Sequence, residues 1–291
     1  MNHNDRLKQG EKGAYLSISA YLLLSLSKII IAQIGNSEAL KADGLNNITD
    51  VMASIAVLIG LKISRKPPDQ DHHYGHSRAE SIASLVAAFI MITVGLDVIW
   101  NTMTKLAQGE SATPDMITAY TALISAAIMF GVYRYNIYLS RKIESSSLHA
   151  QAQDNLSDTL VSLGAFTGIL GAQFGLKWLD PLAGVVVGVI ICKTAIDVFR
   201  DAAHTLTDGF DEEELHEIKK SISRVPGVSS TNDIKARKHG NQILMEVTIE
   251  VNPNLNVEES HKITEKVEEH LERHYGVTHA HIHIEPHSEK K

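Results

Sequence analysis

Over about the first two hundred residues, long apolar runs alternate with short polar breaks, and this pattern restricts the chain to a bundle of membrane-spanning helices. A helix needs roughly 20 mostly apolar residues to cross the hydrocarbon core. In lipid every backbone N–H and C=O must be satisfied inside its own segment, which a helix achieves and an open strand does not. The runs are 14–35 (AYLSISAYLLLSLSKIIIAQIG), 51–63 (VMASIAVLIGLKI, with polar turns before it) and 81–100 (SIASLVAAFIMITVGLDVIW). They continue with 116–133 (MITAYTALISAAIMFGVY), 159–172 (TLVSLGAFTGILGA, preceded by DNLSD) and 181–199 (PLAGVVVGVIICKTAIDVF). Six spans are therefore predicted within residues 13–204, after a polar N-terminal segment at 1–12.

Basic residues near the span ends set the expected orientation. The second-to-third loop carries Lys62, Arg65, Lys66 and Arg78, and the fourth-to-fifth carries Arg134, Arg141 and Lys142. The opposite loops hold only scattered lysines such as Lys41, Lys105 and Lys177. Both termini are thus expected in the cytoplasm, with the chain multi-pass in the plasma membrane. The polar start followed by a long uncut apolar run does not read as a cleavable signal peptide.

Residues 205–291 change character, becoming dense in Glu, Lys and His, and read as a cytoplasmic α/β domain. DEEELHEIKKSISRV has helical periodicity and an acidic first turn that suits the helix dipole. STNDIKARKHG and QILMEVTIEV read as paired strands, VEESHKITEKVEEHLERHY as an amphipathic helix, and THAHIHIEP as a closing strand. The expected fold is thus a six-helix membrane domain followed by an αββαβ unit, a sheet with its helices on one face.

Several functions are excluded by composition and motif. A net charge of -7 argues against nucleic acid as partner, and the lone Cys192 rules out an internal disulfide or a cysteine zinc cage. There is no G-x-x-x-x-G-K-[ST] loop, so uphill work must draw on an ion gradient. No H-E-x-x-H is present either, and the chain does not read as an enzyme.

The chemistry lies in two polar clusters set within apolar stretches, NNITD at 46–50 and DNLSD at 154–158. On a helix Asn46 and Asp50 share a face one turn apart, and Asp154 and Asp158 repeat the spacing. A carboxylate in the bilayer costs several kcal/mol even on the mildest scale, ~3 kcal/mol, so it must face a cavity, a partner or an ion. If the two helices pack together, the four oxygen-bearing side chains form one pocket. Three carboxylates there repel one another when empty, which favours a divalent cation or protons. That competition is the physics of cation/proton exchange. Asn47, Thr49, Asn155 and Ser157 are expected to bond neighbouring helices. Asp43 falls on the Asn46 side near the outer end, where an accessory or water-facing role is expected. Lys28 in the first span is expected to snorkel toward the headgroups.

Six spans, paired four-residue spacings in the second and fifth, a polar α/β tail and the stretch DQDHHYGHSRAES entering the third span resemble the cation diffusion facilitators. The resemblance covers nearly the whole chain. It implies a homodimeric exporter of divalent transition metals driven by entering protons, with Asn46, Asp50, Asp154 and Asp158 as the transport site. It also implies a second site at Asp69, His72 and His76, and a charge pair, Arg78 with Asp208, tying the membrane and cytoplasmic halves near the dimer interface. The loop site has independent support, because His72 and His76 lie i, i+4 if the segment is helical, with Asp69 one turn earlier. In the tail, His279, His281, His283 and Glu285 alternate on one strand face. His261, His283 and Glu285 match positions that hold metal in relatives. Asn232 and Thr248, however, stand where one bacterial branch carries histidines.

Zinc-transporting members commonly place histidine in the membrane site, whereas this pocket offers oxygen only. Carboxylate, amide carbonyl and water suit manganese, and imidazole suits zinc. Export of Mn²⁺ is the leading expectation, followed by Fe²⁺, then by Zn²⁺, Co²⁺ or Cd²⁺. A passive divalent-cation channel is the competing class, since carboxylates also line cation pores.

Overall fold

The computed structural model describes residues 3–64, 66–109, 113–143, 146–239 and 242–287. Among them are six long helices, α1 (His3–Gly35), α2 (Glu38–Ser64), α3 (Ala79–Ala107), α4 (Met116–Ile143), α5 (Ser146–Gln173) and α6 (Leu179–Leu206). After these come α7 (Glu212–Ile222), β1 (Ser230–His239), β2 (Gln242–Val251), α8 (Val257–Tyr275) and β3 (Val277–Pro286). The chain divides into two compact units, 1–56 with 86–198, and 57–85 with 199–291.

The first unit is packed in the reverse sense of a water-soluble bundle. Its buried positions are dominated by small side chains, among them Ala39, Ala42, Ala87, Ala119, Ala122, Ala152 and Ala165. Its large apolar side chains, such as Leu23, Leu26, Ile34, Phe89, Leu96, Trp100, Ile124 and Val186, point outward. Lipid is as apolar as leucine, so helices in a bilayer associate through close backbone packing and hydrogen bonds. The α3–α6 crossing shows this directly. A Cβ on Gly95 would sit 3.1 Å from the Gly188 carbonyl oxygen, and one on Gly188 would sit 3.3 Å from that of Gly95.

Four helices among the described residues, α1, α3, α4 and α6, are each long and apolar enough to cross a membrane. The remaining two, α2 and α5, have the length at 27 and 28 residues but carry the polar clusters. Neighbouring helices fix them in place. Asp180 in the first turn of α6 accepts from the Ser37 hydroxyl at 2.6 Å and from the Glu38 N–H at 2.8 Å, capping the start of α2. Leu40 of α2 and Ile169 of α5 share a buried cluster with Ala32 of α1 and Ala119 of α4.

In the second unit, the tail forms as its sequence pattern indicates. Asp211 caps α7 by accepting from the Glu214 N–H, with Glu212, Glu213 and Glu214 in the first turn. Asn256 and Glu259 form a capping box at the start of α8. The sheet runs β1-β2-β3, with β1–β2 antiparallel and β2–β3 parallel. Met245, Val247, Ile249 and Val251 of β2 are buried together with Ile218 and Ile222 of α7 and Val267 and Leu271 of α8. The alternate positions of β2, Glu246, Thr248 and Glu250, pair in register with His281, His283 and Glu285 on the uncovered face.

Candidate metal transport site

The two polar clusters meet. Asn46 donates from Nδ2 to Asp158 Oδ1 at 2.9 Å and to Asp50 Oδ2 at 3.4 Å, joining α2 to α5. Ionised carboxylates only accept, so the amide presents its nitrogen to both. Asn46 is 8% and Asp158 6% exposed. Asp50 is half-buried, and Asp154, one turn earlier on α5, is exposed. Asp154 and Asp158 both lie within electrostatic reach of Asp50. The structure therefore joins Asn46, Asp50 and Asp158 directly, while Asp154 stays exposed, and among the described residues the three aspartates do not bring one oxygen each within 4.8 Å of one another. None of the side chains meeting here is histidine or cysteine.

α1 contributes two groups to the same polar face, and here the sequence-based expectations need correction. Lys28 does not reach the headgroups. It is fully buried, and its Nζ donates to Asp43 Oδ1 at 2.9 Å, Asn47 Oδ1 at 2.7 Å and Ser162 Oγ at 3.0 Å. Asp43 does not face water either, being fully buried against this ammonium. Three acceptors on α2 and α5 outweigh the hydration available at the membrane surface, because each would be left unpaired in apolar surroundings. Tyr21, which sequence reasoning passed over, donates its hydroxyl to Asp158 Oδ2 at 2.6 Å and lies 3.0 Å from Asn155 Oδ1. Its only signal in the sequence is its seven-residue separation from Lys28, two turns along one helix face. Asn155 bonds a neighbouring helix as expected, donating to Ser17 Oγ. Thr49 and Ser157 instead donate to carbonyls of their own helices.

Asp69, His72 and His76 also come together, with one ligand atom from each lying within 4.8 Å of the others. The segment is not helical, so helical spacing is not what assembles them. Instead Asp69 Oδ1 accepts from the backbone N–H of Asp71 at 3.1 Å and of His72 at 2.8 Å, folding the loop around its own side chain. Gly75 then turns the chain with φ at 78° and donates to the His72 carbonyl. His72 Nδ1 ends 3.1 Å from Asp69 Oδ1 and His76 Nε2 3.4 Å from Asp69 Oδ2. The His72 backbone N–H, aided by the His72 ring and the Asp71 N–H, holds the Asp69 carboxyl below the usual carboxylate range. One carboxylate and two imidazoles form a set able to hold a transition-metal ion.

The tail residues are not gathered into such a set. His261 lies beside Glu265 on its own helix at 3.6 Å. His283 lies 3.9 Å from Glu285 on β3. The position of Asn232 is filled by hydrogen bonds, from its Nδ2 to Glu250 Oε1 at 2.7 Å and to Glu285 Oε2 at 3.3 Å. Among the described residues, His261, His283 and Glu285 do not converge on one point. The Asn232 amide, then His287 and Ser230, hold the Glu250 carboxyl down to about 2. Arg78 does pair with Asp208, its guanidinium donating to Oδ1, with the side chains 38% and 47% exposed. Asp208 adopts a left-handed backbone with φ at 62°.

Long helices with apolar outer faces, a sheltered oxygen cluster and a small α/β domain define a multi-span membrane transporter for cations. Residues 14–207 match the cation efflux transmembrane domain and residues 210–287 the cation efflux protein cytoplasmic domain. Manganese efflux system protein MneS of Bacillus subtilis (strain 168) is 49% identical over 290 residues, covering 100% of both chains. Uncharacterized transporter YdbO of the same organism is 48% identical over 286 residues, covering 98% of this chain and 99% of its own. Manganese efflux system protein MneP, also from that organism, is 31% identical over 296 residues, covering 99% of each. The chain belongs to the cation efflux family, the cation diffusion facilitators, whose members are transporters and not enzymes.

Proposed function

We propose that this chain exports Mn²⁺ from the cytoplasm in exchange for entering protons, as a homodimer in the plasma membrane with both termini cytoplasmic. The ion is carried at Asn46, Asp50, Asp154 and Asp158. The observation that carries this reading is the sheltered junction of Asn46, Asp50 and Asp158, which brings together two carboxylates and one carboxamide with no imidazole or thiolate among them. Oxygen donors favour a hard, six-coordinate ion over one that prefers imidazole. The manganese efflux relatives named above support the same choice. Crowded carboxylates also bind protons in place of the departing metal, which gives exchange its physical basis. A second ion would be held at Asp69, His72 and His76, in the loop before α3.

The test is uptake into proteoliposomes with an imposed pH gradient and Mn²⁺, Fe²⁺ or Zn²⁺ in turn. Mn²⁺ uptake that follows the gradient and exceeds the other two is expected. Uptake indifferent to the gradient would leave a passive pathway, and Zn²⁺ exceeding Mn²⁺ would overturn the selectivity argument while keeping a metal transporter.

A further inference from the structure

We infer that Tyr21 is a positioning residue of the transport site, its hydroxyl fixing the Asp158 carboxylate in the orientation that receives the metal. This inference rests on the reading of Asn46, Asp50, Asp154 and Asp158 as that site. Tyr21 lies on α1, outside the helices that carry those residues, and is 7% exposed. Its ring packs with Leu24 of α1 and with Met129 and Val132 of α4. The ring is therefore held by apolar packing, and the hydroxyl is delivered to one place.

That place is defined from both sides. The hydroxyl is 2.6 Å from Asp158 Oδ2 and 3.0 Å from Asn155 Oδ1. It has one proton to give, and the carboxylate is both nearer and the stronger acceptor. The Asn155 amide is itself anchored, donating to Ser17 Oγ at 3.2 Å, which also accepts from Asn136 Nδ2 at 2.8 Å. Side chains of α4 and α5 thus meet on Ser17 of α1 and hold the Asn155 amide beside the hydroxyl, while the hydroxyl's one proton goes to Asp158. The other carboxylate oxygen, Oδ1, takes the Asn46 amide at 2.9 Å. Each oxygen then holds one donor and keeps a free lone pair, since a carboxylate offers about four acceptor sites. The plane of the group is fixed before a cation arrives. Partners of this kind orient a ligand and set its basicity, and losing one typically costs about 10- to 100-fold in metal affinity or activity.

The decisive variant is Tyr21→Phe in the full chain, because phenylalanine keeps the ring packing and removes only the donor. Mn²⁺ binding to the detergent-purified protein by calorimetry, and KM for Mn²⁺ uptake in proteoliposomes, are expected to weaken by about 10- to 100-fold, with the protein still folded by circular dichroism. Wild-type Mn²⁺ affinity in folded Tyr21→Phe would overturn the inference. Should Tyr21→Phe not fold, 3-fluorotyrosine placed at position 21 keeps the ring and a more acidic hydroxyl. An altered Mn²⁺ affinity in that protein supports positioning, and an unaltered one overturns it. Asp158→Asn, measured in parallel, separates the two claims. If it binds Mn²⁺ like the wild type, the transport-site reading itself fails. If it loses Mn²⁺ while Tyr21→Phe does not, only the role of Tyr21 fails.

Discussion

Two ion pairs, one in each compact unit, are built under opposite conditions. Lys28 and Asp43 meet at 2.9 Å with both side chains wholly sheltered, and the ammonium spends its other protons on Asn47 and Ser162. Arg78 and Asp208 meet with 38% and 47% of their side chains open to solvent. Water can replace either partner of the second pair, whereas nothing replaces a partner of the first. Burial, more than the presence of opposite charges, decides what a pair is worth. By pattern alone the exposed pair draws attention, since it matches a family position, while the buried one looks like a lysine reaching for the membrane surface.

The largest expected effect tests the sheltered pair. Lys28→Met or Asp43→Leu alone leaves an uncompensated buried charge and should cost about 3–5 kcal/mol of stability. Thermal unfolding in detergent, followed through Trp100 and Trp178, reads the loss. The double variant removes both charges and should recover most of it. A double variant no better than either single change would break the comparison. At the other pair, Arg78→Ala should cost at most about 1 kcal/mol, and less at high salt, because the contact is already hydrated.

The smallest effect is a shift in pH dependence within the tail. Glu250 is held down to about 2 by Asn232, His287 and Ser230. A carboxyl depressed in the folded state stabilises fully above its unfolded value, about 4.3, and loses that contribution as pH falls toward 2. Asn232→Ala should raise the Glu250 titration toward the ordinary glutamate range and weaken the stability change over that acid window. Titration of the Glu250 carboxyl by NMR checks this, and an unmoved midpoint would show that Asn232 is not its main partner.

Much of this was legible in the sequence, for identifiable reasons. The tail elements follow from alternation and amphipathic periodicity, and α8 occupies the segment its pattern marks, 257–275. The meeting of Asn46 with Asp50 on its own helix and with Asp158 on the other follows from four-residue spacing on two helices that had to meet somewhere. The apolar runs of α2 and α5 are the shortest of the six, because the polar residues of NNITD and DNLSD occupy part of each helix. The loop triad is implied by the family resemblance, and the helical spacing that would support it does not form. The Asp69 side chain folds the turn instead, and four-residue spacing does not distinguish these cases. Tyr21 stayed hidden because a tyrosine in an apolar run looks like any other aromatic, and its meaning depends on which helix α1 faces.

The central claim is that the oxygen cluster between α2 and α5 carries the ion. Its most direct test is gradient-driven Mn²⁺ uptake in proteoliposomes, comparing the wild type with Asp50→Ala, Asp158→Ala and His72→Ala. Uptake abolished in both aspartate variants, with His72→Ala retaining a substantial part of it, is the predicted result. Wild-type uptake in folded Asp50→Ala and Asp158→Ala would place the transported ion elsewhere and contradict the account.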